Sequence, residues 1–251
     1  MKGVVFYDGP SMLDGKPIIG IATFNTKNSK TGNLIQTWIM RSDIAPIIAI
    51  HNGEDSSICG SCPLRGYINN GNGNKDRGCY VQVHNAPYQV HKAYTNGIYP
   101  VFSKEHLELF SGRGLRLGSY GDAVAIPFSS WKPILDLCDG HTGYTHQWKT
   151  GKFWRWRRYL MASTHTSSEN ELARSKGWRT FRTMEVLSDL SDNEIVCPAS
   201  EEAGYKRTCA TCMACNGSNG NMEKKSIAIV VHGRRSISGP AKRIVNALNS
   251  N

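Results

Sequence analysis

A chain of 251 residues with 39% hydrophobic content buries a core without covalent staples, and none of its apolar runs approaches the roughly 18 to 20 residues of a membrane span. Thirty Lys and Arg against 20 Asp and Glu leave a formal charge of +10, a field that attracts polyanions, nucleic acid foremost, or that serves solubility alone. The opening MKGVVFYDGPSMLDGKP places Asp, Gly and Pro where a signal peptide carries its apolar stretch, so a cytoplasmic protein without a membrane partner is expected; in that reducing compartment the eight cysteines point to metal or redox chemistry rather than disulfides.

In chain order, the first third reads as long loops, NTKNSKTGN (25–33) and INNGNGNKDRG (68–78), around one plausible strand, LIQTWIMR (34–41). Strand-like runs then recur: LRLGSYGDA (115–123), HTGYTHQWK (141–149), YLMASTHT (159–166), WRTFRTM (178–184), EIVCPAS (194–200) and SIAIVVHG (226–233). Between and after them lie the helix candidates FSSWKPILDLCDG, SENELARSKG and PAKRIVNALNS; the second has Ser167 or Ser168 as N-cap and Gly177 as its stop. Strand, short helix, strand at this spacing predicts a parallel α/β sheet, open or closed. The expected fold is a parallel (β/α) barrel-like or partial-barrel domain spanning 1–251, with a cysteine-bearing loop insertion at 51–92 and a cysteine-rich metal loop at 197–225.

Ligands of such sheets gather at the carboxyl ends of the strands, where the βα loops open. The strand ends here carry Asp122, His146, His165, Arg182, Cys197 and His232. Each alone is compatible with a structural role, and their recurrence makes them candidates. Asp122, His146 and His165 are the candidate catalytic groups, and Arg182 a substrate contact.

CPASEEAGYKRTCATCMAC sets Cys197, Cys209, Cys212 and Cys215 in the order C-x11-C-x2-C-x2-C. The two x2 spacings turn three thiolates around one centre and the preceding strand end supplies the fourth. This favours a 4Fe-4S iron–sulfur cluster, with zinc as the alternative. SSICGSCPLRG and RGCYV give a second set, Cys59, Cys62 and Cys79, spaced C-x2-C-x16-C with no fourth cysteine nearby. The missing donor is His84, His91 or a cysteine of the other set; or a cluster keeps one iron open, as S-adenosylmethionine needs; or zinc pins the loop. Cys138 reads as a core thiol on an apolar helix.

KTGKFWRWRRYL (149–160) interleaves Lys149, Lys152, Arg155, Arg157 and Arg158 with Phe153, Trp154, Trp156 and Tyr159. Cations for phosphates and flat rings for unstacked bases suit a nucleic-acid substrate, with Lys149, Lys152, Arg155, Trp156 and Arg157 as its contacts and Arg234 of GRR (233–235) beside them. The other reading packs the rings on the core and leaves the arginines in solvent.

The order CGSCPLRG, GCYV, LRLGSYGDAVAIP, TGYTHQW, CPAS, TCATCMAC and VVHGRR resembles a group of small cysteine-rich proteins carried by bacteriophages and plasmids, over roughly residues 56–235. The resemblance implies a mobile-element origin, a host cytoplasm and a shared cysteine-rich site with Asp122 as its carboxylate, and it supplies no reaction. A looser similarity is to radical S-adenosylmethionine barrels, whose triplet is usually C-x3-C-x2-C rather than C-x2-C-x16-C. A third is to tRNA-guanine transglycosylases, in which Cys209, Cys212, Cys215 and His232 would imitate a late zinc site and Asp122 the nucleophile. The leading expectation is thus a metalloenzyme that modifies a base or nucleotide, its alternatives a metal-stabilised nucleic-acid-binding protein and a zinc-containing base-exchange transglycosylase. A magnesium nuclease would show clustered carboxylates, and only Asp122 stands out at the strand ends.

Overall fold

The computed structural model describes residues 1–25, 28–68, 74–75, 77–231 and 235–249. Its centre is one nine-stranded sheet. The strands are β1 (Gly3–Pro10), β2 (Pro17–Thr23), β3 (Ile35–Arg41), β6 (Gly114–Tyr120), β7 (Gly140–Thr145), β8 (Met161–Thr164), β9 (Thr180–Met184), β10 (Glu194–Val196) and β11 (Ser226–Val230); a separate two-stranded hairpin is formed by β4 (Tyr67–Ile68) and β5 (Asn74–Lys75). The order across the sheet is β1-β2-β3-β6-β7-β8-β9-β11-β10. β1, β2 and β3 form an antiparallel meander, and every pairing from β3 onward is parallel.

All seven expected strands are present, within a few residues of their expected limits. The sheet is mixed α/β and mostly parallel, but it is not closed into a barrel: β1 stands at one edge and β10 at the other. The antiparallel meander accounts for this, because it occupies the edge of β3 that a closing strand would need. β1 and β2 of the meander fall in the first third, where the sequence reads as loops around the single strand of β3, although VVFY and IIGIAT carry the β-branched and aromatic residues of buried strands.

The crossovers follow handedness. From β6 to β9 the chain advances one strand at a time, with α4 (Phe128–Leu135), a 3₁₀ segment over Gly151–Arg158 and α5 (Ser167–Ser175) as connections. α5 lies on the face carrying Thr180, whose hydroxyl donates to Asn170 at 2.7 Å. Its cap is Thr166, which accepts from the Glu169 amide, one residue before the expected serines. From β10 to β11 the chain steps backward across the sheet. A right-handed crossover in that direction must use the opposite face. Residues 197–225 accordingly lie over Tyr144, Met161, Phe181 and Ile227.

The main core lies around β1, β2, β3 and β6, where Ile18, Ile21, Ile35, Ile39 and Leu115 are sealed from solvent on the two faces of the sheet, and Trp131 of α4 meets Phe6 at 4.7 Å between ring centroids. The remaining helices are α1 (Pro46–Asn52), α2 (Ser56–Cys59), α3 (Ala86–Thr95), α6 (Cys209–Cys212) and α7 (Arg235–Asn249). No described helix is long and apolar enough to cross a membrane.

Arg182 reaches from β9 across β11 to Glu194 of β10, with Nε–Oε1 at 2.8 Å and Nη2–Oε2 at 2.6 Å. Ser226 and Ala228 of β11, paired with Glu194 and Arg182, are small enough to let the two side chains meet. The ion pair is almost wholly buried, at 3% and 0% side-chain exposure. Removing one partner strands the other charge. Glu194→Ala is therefore expected to lower the unfolding free energy in urea by about 3–5 kcal/mol. A loss under about 1 kcal/mol would show that solvent reaches this pair.

Candidate functional site

The first group of site residues assembles at the carboxyl ends of β6, β7 and β8. Asp122 follows β6, is 6% exposed, and accepts from the Thr145 hydroxyl at 2.8 Å, the His146 amide at 3.0 Å and the Val124 amide at 3.3 Å. Burial pushes its carboxyl up to about 6, opposed by those hydrogen bonds, which favour the carboxylate. Its own amide donates to the Ile58 carbonyl at 2.6 Å, which ties the end of β6 to α2.

α2 and the turn after it carry Cys59 and Cys62. Between them Gly60 adopts φ 54° and ψ −127°, a backbone region closed to residues with a Cβ, and a Cβ there would stand 2.6 Å from the Gln147 side chain. Gln147 closes the turn: its Nε2 donates to the Cys59 carbonyl at 3.0 Å and its Oε1 accepts from the Ser61 hydroxyl at 3.2 Å. Arg65 secures the other side through Asp55 at 2.6 Å and the carbonyls of Gly53 and Gly60. The Gly78 amide donates to the Leu64 carbonyl, which brings Cys79 alongside, and Arg77 donates to the Cys79 and Val81 carbonyls. Cys62 and Cys79 pack with Leu64, Val231 and Ala241.

Burial, and then the charges of Asp55, Cys62 and Cys79, raise the Cys59 thiol; burial and then Cys79 raise Cys62. Cys59 and Cys62 therefore favour the neutral thiol where no cation offsets their burial. Among the described residues the Tyr120 hydroxyl, buried in the electrostatic field of Cys59 and Cys79, has no hydrogen-bond partner.

His146 and His165 complete this group. The His146 Nε2 lies 3.7 Å from the Cys62 sulfur and 3.1 Å from His165 Nε2. The rings meet edge to edge, with centroids 5.3 Å apart and planes 14° from parallel. His165 Nδ1 meets the Thr183 hydroxyl at 2.6 Å, and Glu169 accepts from the His165 amide at 2.8 Å while pairing with Lys149 at 2.6 Å. Burial carries His165 down to about 4; burial and the facing His165 hold His146 well below its usual range. Neither His84 nor His91 stands here: His84 is exposed, and His91 packs near Arg41 and Asp43.

The second group is separate. Cys197, Cys209, Cys212 and Cys215 line one narrow cavity with Thr142 and Tyr144 of β7 and Ile227 of β11. α6 presents Cys209 and Cys212 and is held by Thr208 at its start and by the Lys30 and Thr31 carbonyls, which accept from the Cys209 and Ala210 amides. Met213 turns the chain at φ 49° and seats its methyl against Gly114 and Gly140, at the amino ends of β6 and β7. The Cys215 carbonyl accepts from the Gly143 amide at 2.9 Å, and Arg179 holds the Ala214 and Gly217 carbonyls. Burial, then the other three thiols, raise Cys215.

All eight cysteines are free thiols, and among the described residues no group of three or more His, Cys, Asp or Glu side chains closes on a single ion. The donor chemistry of the second group nevertheless suits a soft metal. Four thiols share one cavity, the buried Thr142 hydroxyl beside them has no partner among the described residues, and Arg116 brings a positive charge within reach of Cys209 and Cys215. Cys138 is half-buried against the main core, in neither group.

The basic-aromatic stretch has a different place. Its 3₁₀ turns put Phe153 and Trp156, three residues apart, on the inner face, where Trp156 meets Phe128 at 5.2 Å and is 5% exposed. Trp156 is thus a core residue and not a base-stacking surface. Lys152 caps the Met12 carbonyl, Arg155 lies over Phe128, and Arg157 over the exposed Trp154. Only Lys149 reaches toward the histidines. Arg182 is committed to Glu194 and does not join the group. His232 and Arg234 lie outside the described residues.

Thr145, Gln147, Thr183 and Tyr120 are the contributors that strand-end reasoning missed; TGYTHQW held the signal for two of them, as polar residues on either side of His146. Comparison with family models, with curated proteins and with solved structures finds no match to this chain.

Two substitutions separate scaffold from surface. Trp156→Ala is expected to cost about 3–5 kcal/mol in thermal or urea unfolding, whereas Trp154→Ala stays within about 0.5 kcal/mol. Equal effects would contradict the inward placement of Trp156. Gly60→Ala is expected to cost about 1–3 kcal/mol by the same measurement, from the strained backbone alone.

Proposed function

We propose that the chain is a metal–thiolate enzyme, iron–sulfur in preference to zinc, that modifies a base or nucleotide in nucleic acid on behalf of a bacteriophage or other mobile element in its host cytoplasm. The observation that carries this reading is the division of seven cysteines into two unlike groups. Four thiols line one cavity and suit a closed centre. Three stand at the carboxyl ends of the strands beside Asp122, His146 and His165, where parallel sheets place their chemistry. The strands from β3 to β11 are read as the wall of a partial barrel around that end.

In this reading Cys197, Cys209, Cys212 and Cys215 hold one metal centre and Cys59, Cys62 and Cys79 the other. The centre near Asp122 supplies redox or Lewis-acid chemistry when loaded. Asp122 holds the His146 backbone and Thr145 in place, His165 presents a neutral imidazole, and Lys149 gives the pocket a cation. S-adenosylmethionine fits only where a coordination position of that centre stays open. The charge of +10 and the outward-facing Lys152, Arg155 and Arg158 supply attraction for phosphates.

The transglycosylase alternative has less support, because Cys197 lines the cavity with Cys209, Cys212 and Cys215 and makes a fourth donor from His232 unnecessary. The binding-protein alternative is favoured by one observation, the engagement of Phe153 and Trp156 in the core, which leaves a basic outer face without a row of stacking rings.

Anaerobic purification followed by iron, sulfide and zinc analysis tests the reading. The expected result is a brown protein absorbing near about 400 nm, with iron and sulfide in matching amounts. Cys59→Ser and Cys212→Ser are each expected to remove about half of the metal and leave the other half. A colourless protein carrying neither iron nor zinc would overturn it, and loss of all metal in either variant would overturn the division into two centres.

A further inference from the structure

We infer that the 3₁₀ segment over Gly151–Arg158 is a track for a single, unpaired nucleic-acid strand, with Lys152, Arg155 and Arg158 on successive phosphates and Trp154, backed by Arg157, stacked on a base. The inference rests on the reading that the chain acts on nucleic acid, and it names the form of that substrate and the residues that hold it.

The segment has eight residues, whereas 3₁₀ runs beyond about three or four are uncommon. Its period is three, so its side chains fall into three eclipsed rows. Phe153, Trp156 and Tyr159 form the inner row, in which Trp156 and Tyr159 both meet Phe128, at 5.2 and 5.0 Å between ring centroids. Lys152, Arg155 and Arg158 form a second row, and all three are exposed. Gly151, Trp154 and Arg157 form the third, in which the Arg157 guanidinium lies 4.7 Å from the centre of the Trp154 ring. The inner row anchors the segment on the core and thereby sets the direction of the other two.

At about 2.0 Å of rise per residue, cations at every third position recur at about 6 Å. Successive phosphates of an extended strand recur at a comparable interval. The charges are also uncompensated: among the described residues no carboxylate pairs with Lys152, Arg155, Arg157 or Arg158, whereas Arg41, Arg65, Lys132, Lys149 and Arg182 each have one. Lys152 gives one of its three ammonium protons to the Met12 carbonyl, and Arg155 lies over the Phe128 ring at 4.8 Å, a contact that uses no N–H donor. Donors for phosphate remain on both. Trp154 is 58% exposed, and an indole carrying a guanidinium is a stacking partner for a base. A duplex covers the faces of its bases, and a lipid surface has no fixed phosphate interval, so the arrangement favours an unpaired strand.

The track has a direction. The segment is the crossover between the parallel strands β7 and β8, so it runs from the carboxyl end of β7, where His146 stands, back to the amino end of β8. Lys152 is the cation of the row nearest the strand-end group and Arg158 the farthest, about 12 Å further along. A strand seated on the row spans roughly three phosphates at this spacing and leads toward Asp122, His146 and His165.

The test is equilibrium binding of the full chain, purified without oxygen, to a fluorescein-labelled oligothymidylate of about 12 nucleotides. Anisotropy is read over a range of salt, beside the duplex formed with oligoadenylate. The strand is expected to bind at least about ten-fold tighter than the duplex. Substituting Lys152→Gln, Arg155→Gln and Arg158→Gln together is expected to make the slope of log K against log salt shallower by about 2, the share of three phosphates on a single strand. Trp154→Ala is expected to weaken binding about ten-fold with the slope unchanged. Trp154→Phe is expected to recover most of that affinity, which separates loss of a ring from loss of the fold. A strand bound with a slope indifferent to the triple substitution, or with an affinity indifferent to Trp154→Ala, overturns the inference alone, as does a duplex bound as tightly as the strand. Binding to neither strand nor duplex overturns the nucleic-acid reading as well, and binding to phosphatidylglycerol vesicles in their place would assign the row to a lipid surface instead.

Discussion

The arrangement of this molecule depends on one steric constraint, the right-handedness of crossovers between parallel strands. While the chain advances from β6 to β9, that constraint sends its connections to one face of the sheet. When it overshoots to β10 and returns to β11, the same constraint sends residues 197–225 to the other face. The cysteine-rich loop therefore covers Tyr144, Phe181 and Ile227 rather than joining the layer of α4 and α5. Four thiols in one cavity result from a reversal of strand order as much as from their spacing.

Around the first group the organising feature is a polar lattice with few loose ends. Asp122, Thr145, Gln147 and Arg65 spend their hydrogen-bonding capacity on the backbone of the cysteine turn and of β7, so the turn is positioned without help from a ligand. Among the described residues this lattice leaves the Tyr120 hydroxyl without a partner, while the facing histidine nitrogens meet each other and the Cys62 sulfur. Burying polar groups in this way is costly unless each is paired, and the unpaired remainder marks where chemistry is to be sought.

Much of this was legible in the sequence. The parallel strands announced themselves through short β-branched runs ending in polar residues, and Asp122, His146 and His165 were found by asking what stands at those ends. C-x11-C-x2-C-x2-C located the second group without ambiguity. What escaped was tertiary. Arg182 looks like a site residue at a strand end, but its partner Glu194 lies on a strand that becomes its near neighbour only because β11 is inserted between them with small residues. Trp156 looks like a base-stacking ring, and the 3₁₀ periodicity that turns it inward beside Phe128 is not visible in composition. His146 was a strand-end candidate without a connection to the cysteines, since nothing in a linear chain places residue 146 beside residue 62. The first two strands were lost in a stretch whose glycines and asparagines outweighed its shorter apolar runs.

β7 has a role that its length alone defines. Thr142 opens into the four-thiol cavity and His146, four residues further along and just past the end of the strand, stands beside Cys62. At about 3.3 Å per residue those two positions are roughly 13 Å apart. The backbone between these two neighbours of the thiol groups is therefore short. The Met213 methyl wedged against Gly114 and Gly140 keeps its far end seated. Under the proposed function, that stretch of backbone fixes the separation of the two thiol groups, whatever each of them holds.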